Sequence, residues 1–128
     1  MKKSLQESLA LTRLAETRWG PKRRWRCIYC GRGAGLVLDH FEPSSMGGGN
    51  DIFNLVPACD RCNTSKTDMD PWGWMETVGV PLVRQSAILR VRHLPASTTG
   101  LIVPNERFAL DYGRVKALRR AIQGDKGE

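Results

Sequence analysis

Two pairs of cysteines with Cys-x-x-Cys spacing bracket the segment in which polar residues with reactive side chains are concentrated. The four cysteines are Cys27, Cys30, Cys59 and Cys62. Four thiolates in two such pairs can surround one Zn²⁺ tetrahedrally and fill its coordination shell. The cysteines could instead form redox-active dithiols, but two pairs flanking a short strand-loop-strand segment fit a structural zinc site far better.

Four polar residues lie between the cysteine pairs or directly after the second pair. They are not needed as zinc ligands, because four cysteines already fill the coordination shell. They are Asp39, His40, Asn54 and Asn63. A neutral imidazole is a natural general base near pH 7, which makes His40 the candidate for that role. The side-chain oxygens of Asp39 and Asn63 suit Mg²⁺ or Mn²⁺ better than Zn²⁺. Taken singly, a strand-end histidine and a turn-forming asparagine are ordinary structural residues.

Two short strands and a helix must position these side chains. Residues 36–38 are apolar and partly β-branched, so they predict a strand that delivers Asp39 and His40 at its end. Residues 54–57 predict a second strand, whose proline must lie at an edge or an end. Residues 59–66 predict a knuckle that runs into a helix. The spacer between the cysteine pairs is longer than in an ordinary Cys₄ ribbon, and the inserted hairpin explains the excess.

Helical patterns flank this hairpin on both sides. An apolar stripe predicts a helix over residues 5–19. Asp70 followed by Pro71 predicts the capped start of a short helix that ends near residue 77. Residues 81–93 predict a further helix in which apolar and basic positions alternate.

A last helix is expected near the C-terminus, with Asn105 as its cap. Its apolar face carries Phe108, Tyr112, Val115, Leu118 and Ile122. We predict one domain over residues 1–128, with its core over residues 25–78, an N-terminal helix over residues 5–19 and a C-terminal helical extension over residues 81–123.

The chain is strongly basic. It has 20 Lys and Arg residues against 13 Asp and Glu residues, which gives a net charge of +7. Such a balance favours a polyanionic partner, most commonly nucleic acid, although a basic solvated surface is the plain alternative. The residues expected to contact nucleic acid, besides Lys66, are Arg23, Arg24, Arg26, Arg119 and Arg120.

The beginning of the sequence predicts neither a signal peptide nor a membrane span. Polar residues at positions 6–8 interrupt any apolar run after the first lysines. We therefore expect a cytoplasmic protein without a membrane partner. A reducing compartment also favours metal binding by the cysteines over disulfide formation.

The segment from Cys27 to Lys66 resembles the HNH endonuclease family. The matching residues are Asp39-His40, Pro43, Gly47-Gly48, Asp51, Asn54-Leu55, Cys59, Cys62, Asn63 and Lys66. The resemblance implies an α+β fold with a small ββα-metal (His-Me finger) core, stapled by a Cys₄ zinc site and flanked by N- and C-terminal helices. The chain departs from the eponymous pattern at Asn63, which replaces a histidine. Asparagine also stands there in the HNH domains of RNA-guided DNA-cutting enzymes.

The resemblance also implies metal-dependent hydrolysis of phosphodiester bonds in DNA. His40 is then the general base that activates water, and Asp39 and Asn63 bind catalytic Mg²⁺ or Mn²⁺. Asn54 positions the loop that carries the histidine through backbone hydrogen bonds. Lys66 follows Asn63 by about one helical turn on the same face, so we expect it to reach the substrate phosphate.

Two other functions are compatible with parts of the pattern. A non-catalytic zinc-ribbon module binds nucleic acid with the same fold but without turnover, and a purely structural or protein-interaction domain does neither. The intact set of polar residues favours the nuclease over the binding module. The net charge of +7 favours either of them over the structural domain.

Overall fold

The computed structural model describes residues 5–95, 97–99, 101 and 106–126. Its helices and strands, in chain order, are α1 (Leu5–Trp19), β1 (Leu36–His40), β2 (Leu55–Cys59), α2 (Asp60–Lys66), α3 (Pro71–Val78), α4 (Leu82–Arg92) and α5 (Tyr112–Lys126). Short 3₁₀ helices lie at Lys22–Arg24 and Ser44–Met46. The small α+β architecture with a ββα core is therefore confirmed.

The two strands form an antiparallel pair that ends beside the polar residues. Leu36 lies opposite Cys59 at one end of the pair, and His40 lies opposite Leu55 at the other. Pro57 occupies the middle of β2, where the described residues add no third strand. Its carbonyl accepts a hydrogen bond from the Ile28 amide at 2.9 Å. The proline thus lies on an edge strand, as the sequence predicted, because it has no N–H to give to a sheet partner.

An aromatic cluster joins the hairpin to α3. The ring of Tyr29 meets that of Trp74 edge-on at 4.9 Å between centroids, and Phe41 meets Trp72 in the same way at 5.4 Å. Trp74 and Tyr29 are fully buried. Asp70 caps α3 by accepting a hydrogen bond from the Gly73 amide at 2.8 Å, as predicted. These contacts fix the residues around the end of β1.

Helix α1 packs on the hairpin and also holds the end of α4. The Trp19 indole N–H donates to the Leu55 carbonyl at 3.0 Å. Arg18 is 1% exposed, and its guanidinium donates to the carbonyls of Val91, Leu94 and Pro95. Val91 lies in the last turn of α4, and Leu94 and Pro95 follow the helix, so the guanidinium gathers the carbonyls around this helix end. The sequence pattern gave Arg18 no role.

The last helix begins at Tyr112, which makes the predicted start near Asn105 wrong. Asn105 itself lies outside the described residues. Residues 106–111, before the helix, have no regular secondary structure, and their backbone bonds to other parts of the fold: the Phe108 amide donates to the Cys30 carbonyl and the Asp111 amide to the Val78 carbonyl, both at 2.9 Å. The Arg84 guanidinium covers the Phe108 ring at 5.0 Å. These long-range contacts outweigh local helix propensity.

Within the part of the chain that the structure describes, no helix is long and apolar enough to cross a membrane.

Candidate active site

A cleft of about 460 Å³ brings together three of the predicted site residues. Asp39 and His40 reach it from the end of β1, and Asn63 reaches it from α2. The rest of the lining comes from β1, the loop after it and the chain just after α2: Leu38, Pro43, Ser44, Ser45, Thr67 and Asp68. The antiparallel pairing of β1 with β2, which leads directly into α2, is the physical reason why residues separated by more than 20 positions meet here.

The imidazole of His40 is oriented by a residue that the sequence pattern did not single out. Its Nε2 lies 2.6 Å from the side-chain oxygen of Asn50. An amide oxygen only accepts hydrogen bonds, so this contact selects the neutral tautomer in which Nε2 carries the proton and Nδ1 keeps its lone pair. Asn50 directly follows the three glycines at positions 47–49, and no motif in the sequence assigns it a role. The arrangement leaves His40 able to accept a proton through Nδ1.

Asn54 ties the two ends of the loop after β1 together. Its side-chain oxygen accepts from the Glu42 amide at 2.7 Å, and its side-chain nitrogen donates to the carbonyls of Glu42 at 3.0 Å and Gly49 at 2.9 Å. A Cβ at Gly48 would collide with the Glu42 carbonyl oxygen, so the loop closes this tightly only with glycine there. These are the backbone hydrogen bonds that the family resemblance implies for Asn54.

Asp39 is buried at the wall of the cleft, at 4% exposure. The Tyr29 hydroxyl donates to its carboxylate at 2.6 Å, and the Lys66 ammonium lies 3.4 Å from both carboxylate oxygens. Burial raises the pKa of Asp39 above its ordinary value, while the charge of Lys66 and the hydrogen bond from Tyr29 act in the opposite direction. Oδ1, which has only the longer contact with Lys66, keeps a lone pair that could be offered to a cation.

Lys66 does not occupy the place predicted for it. Its side chain is fully buried, and its ammonium donates to the His40 carbonyl at 2.9 Å as well as lying beside Asp39. The predicted contact with a substrate phosphate is therefore wrong for this structure. The helical spacing from Asn63 was right, but the ammonium turns inward because it compensates the buried carboxylate.

Thr67 has an unusual backbone conformation at the edge of the cleft. Its φ of 46° and ψ of −119° are those of the first central residue of a type II′ turn, a position that glycine usually occupies. The turn closes through the Met69 amide, which donates to the Lys66 carbonyl at 3.0 Å. A threonine in this region costs about 1–3 kcal/mol, and such strain is found most often at functional sites.

The arginines predicted to contact nucleic acid fall into two groups. Arg23, Arg24 and Arg120 are exposed. Arg26, by contrast, donates to the Gly31 carbonyl at 3.2 Å, and Arg119 donates to groups at the end of α2. Both Arg119 and Arg120 were predicted to contact nucleic acid. Of these two, Arg119 bonds to Thr67, which lines the cleft.

The four cysteines are brought together in one buried cluster. Their sulfur atoms all lie within 4.8 Å of one another, and Cys30 Sγ is 3.7 Å from Cys59 Sγ. Tetrahedral coordination with Zn–S distances of about 2.3 Å places sulfurs about 3.8 Å apart. The cluster therefore fits a single tetrahedral metal ion, and the chemistry of the thiolates favours zinc.

Residues outside the cysteine knuckles also contact this cluster. The Tyr112 hydroxyl, from the first turn of α5, lies 3.1 Å from Cys62 Sγ, and the Cys62 amide donates to Cys59 Sγ at 3.4 Å. Outer-shell hydrogen bonds of this kind orient metal ligands. In the sequence, Tyr112 belongs to an apolar helix face, and that pattern does not indicate a contact with the cysteines.

The segment that contains the cysteines and the cleft is similar to known proteins. The sequence model of the HNH endonuclease family matches residues 27–69, which include all four cysteines and every residue described in the cleft. A CRISPR-associated endonuclease Cas9 from Actinomyces naeslundii is 41% identical to the chain over 71 residues. That match covers 52% of this chain but 6% of the relative, so the similarity concerns one region of a much longer protein. No solved structure matches the chain significantly.

Proposed function

We propose that this protein, whose residues 27–69 match the sequence model of the HNH endonuclease family, is a metal-dependent endonuclease that hydrolyses phosphodiester bonds of DNA. His40 is the general base, and Asp39 and Asn63 hold the catalytic divalent cation. The observation that carries the proposal is the orientation of His40: its ring is fixed by Asn50 at the edge of the cleft that Asp39 and Asn63 also line.

The tautomer of His40 determines which ring nitrogen can act as the general base. With Nε2–H donating to Asn50, the lone pair of Nδ1 is available to take a proton from water as that water attacks phosphorus. The Asn54 side chain bonds to Glu42 at one end of the loop after β1 and to Gly49 near the other end. Asn50, the next residue after Gly49, is therefore held close to the end of β1. The chain thus supplies both the base and the support that keeps the base in one orientation.

The donor set at the cleft fits a hard divalent cation. Asp39 and Asn63 present a carboxylate and an amide, which are ligands that Mg²⁺ and Mn²⁺ accept, and the open cleft leaves room for water and phosphate oxygens. When bound, such a cation neutralises charge on the phosphate and stabilises the leaving oxygen. The Lys66 ammonium, buried behind Asp39, keeps that carboxylate from being an uncompensated charge before metal arrives.

Two observations support DNA as the substrate. The net charge of +7 and the exposed arginines Arg23, Arg24 and Arg120 suit a phosphate backbone. The relative that shares the region is by name a CRISPR-associated endonuclease.

A cleavage assay with added metals tests the proposal. Purified protein is incubated with supercoiled and with linear DNA, each with Mg²⁺, with Mn²⁺ and with neither. We expect cleavage only in the presence of added metal, because zinc bound by four thiolates has no open position for a substrate. No cleavage of either DNA form with either metal would refute the proposal and leave the non-catalytic binding module as the better interpretation.

Loss of a metal ligand should raise the metal requirement of cleavage. We expect Asn63→Ala to need roughly 10- to 100-fold more Mn²⁺ for half-maximal rate, which is the range seen when even an outer-shell partner of a metal is removed. Asp39→Ala should be more severe, because it removes the charged ligand and also leaves Lys66 buried without its partner. The measurement is a Mn²⁺ titration of the initial rate. An unchanged midpoint in both variants would contradict the assigned ligands.

Removing the acceptor that orients His40 should slow the chemical step. We expect Asn50→Ala to lower the single-turnover rate roughly 2- to 10-fold, because one hydrogen bond is worth about 0.5–1.5 kcal/mol. Asn50→Asp keeps an acceptor at the same place and serves as the matched control, so it should retain more activity than the alanine variant. Equal rates for parent and Asn50→Ala would show that Asn50 does not orient the base.

A further inference from the structure

We propose that Arg119 in α5 is a positioning residue for the active site, acting through Thr67 at the end of α2; the inference rests on the proposed endonuclease function. Arg119 and the rest of α5 lie outside the segment that matches the HNH family. The inference thus gives the C-terminal extension a specific task in the reaction, beyond general binding of phosphates.

Arg119 makes two short hydrogen bonds to the end of α2. Its Nη2 donates to the Ser65 carbonyl and to the Thr67 hydroxyl, both at 2.8 Å. The first bond satisfies a carbonyl that the helix terminus leaves without an intrahelical partner. The second holds the side chain of the one non-glycine residue with positive φ among those described. Arg119 therefore restrains the strained residue from outside the matched segment.

The conformation of Thr67 is linked to a proposed metal ligand. The Thr67 amide donates to the Asn63 carbonyl at 3.1 Å, so the residue after the helix closes the last turn over Asn63. Thr67 and Asn63 line the same cleft. If Thr67 relaxes to an ordinary backbone conformation, the chain on its two sides must shift relative to each other, and the cleft wall formed by Asn63, Thr67 and Asp68 shifts with it. Small displacements of a positioned group have large effects on rate.

Helix α5 is well placed to exert this restraint because it contacts α2 at two points. Tyr112 and Arg119 are seven residues apart, which is about two helical turns and puts both side chains on one face. The Tyr112 hydroxyl lies 3.1 Å from Cys62 Sγ, close to the start of α2, and Arg119 holds its end. Val115, between them, is 1% exposed. This anchored face distinguishes Arg119 from its neighbour Arg120, which is exposed.

The matched variants Arg119→Ala and Arg120→Ala separate positioning from binding of DNA phosphates. For Arg119→Ala we expect about a 10- to 100-fold lower kcat, more Mn²⁺ needed for half-maximal rate and an unchanged salt dependence of DNA binding. For Arg120→Ala we expect weaker DNA binding and a salt slope reduced by about one phosphate contact. A reduced salt slope with unchanged kcat for Arg119→Ala would overturn the inference.

A second pair of variants tests whether the effect passes through Thr67. Glycine adopts this conformation without strain, so in a Thr67→Gly background the backbone needs no support from Arg119. We expect Arg119→Ala to lower kcat much less in that background than in the parent. An equal loss in both backgrounds would show that Arg119 does not act through Thr67.

The melting temperatures of the same four proteins make the two possible failures distinguishable. Coupling between positions 67 and 119 should appear as non-additive shifts of the unfolding midpoint, whether or not the protein cuts DNA. A parent protein that cuts no DNA would refute the proposed function, and with it any catalytic role of Arg119. A parent that cuts DNA but shows additive shifts and an unaffected kcat would refute the positioning role alone.

Discussion

Replacing His40 with alanine is expected to lower the single-turnover rate of DNA cleavage by about 10²–10⁴-fold, the usual contribution of a general base. His40 lies at the end of β1, half-buried at the edge of the cleft, so its truncation leaves no large cavity in the core. Its side chain contacts Asn50, and its backbone stays paired with Leu55. The loss should therefore affect the chemical step and spare both the fold and DNA binding.

The metal dependence separates this variant from the ligand variants. Added Mn²⁺ should restore part of the activity of Asn63→Ala, because a weakened site can be refilled by mass action, whereas it should not restore His40→Ala. Thermal melts and DNA-binding curves serve as controls for folding and substrate affinity. Cleavage by folded His40→Ala at a rate close to that of the parent would refute the role of His40 as general base.

The local sequence predicted the centre of the fold well because the signals there are short-range. The apolar residues 36–38 predict β1, and the strand ends at His40 as expected. Asp70 and Pro71 specify the start of α3 within one turn of chain. The cysteine spacing also predicted the sulfur cluster that the structure shows. Each Cys-x-x-Cys pair is a local turn, and binding one metal ion requires the two turns to meet.

The errors concern residues whose role is decided by distant parts of the chain. Nothing near Lys66 in the sequence reveals that Asp39, 27 positions earlier, would draw its ammonium inward. The start of α5 was misplaced because the backbone before it bonds to Cys30 and Val78. The sequence pattern assigned no role to Arg18, whose partners are carbonyls at the end of α4 and just after it. Periodicity cannot report such contacts.

The C-terminal segment connects the cysteine cluster to the cleft. The Phe108 amide bonds to the Cys30 carbonyl, and four residues later the Tyr112 hydroxyl reaches Cys62 Sγ. Farther along the same helix, Arg119 contacts the end of α2 beside the cleft. A metal ion in the cysteine cluster would thus stabilise both the ββα core and the helix that restrains Thr67. Loss of that metal should affect the cleft as well as the knuckles.

Removal of zinc is expected to unfold the core and produce the largest change in stability. We expect about one zinc ion per chain in freshly purified protein, because the four sulfurs form a single buried cluster. Structural zinc contributes about 10–16 kcal/mol of apparent folding free energy in small zinc-finger peptides, which is comparable to the total stability of about 5–15 kcal/mol of a typical domain. Without zinc the chain should lose its cooperative melting transition.

Elemental analysis and melting curves, recorded before and after treatment with a chelator, measure this directly. Cys62→Ser removes one ligand and should reduce the zinc content and the melting temperature strongly. Tyr112→Phe is the matched control, since it removes only the hydroxyl that contacts Cys62 Sγ and should retain zinc with a smaller loss of stability. Adding zinc back should restore the cooperative melting transition of the parent protein after chelator treatment. The same addition should restore the transition of Cys62→Ser only poorly. A folded parent protein that contains no zinc, or that melts unchanged after the metal is removed, would contradict the structural role of the cysteine cluster.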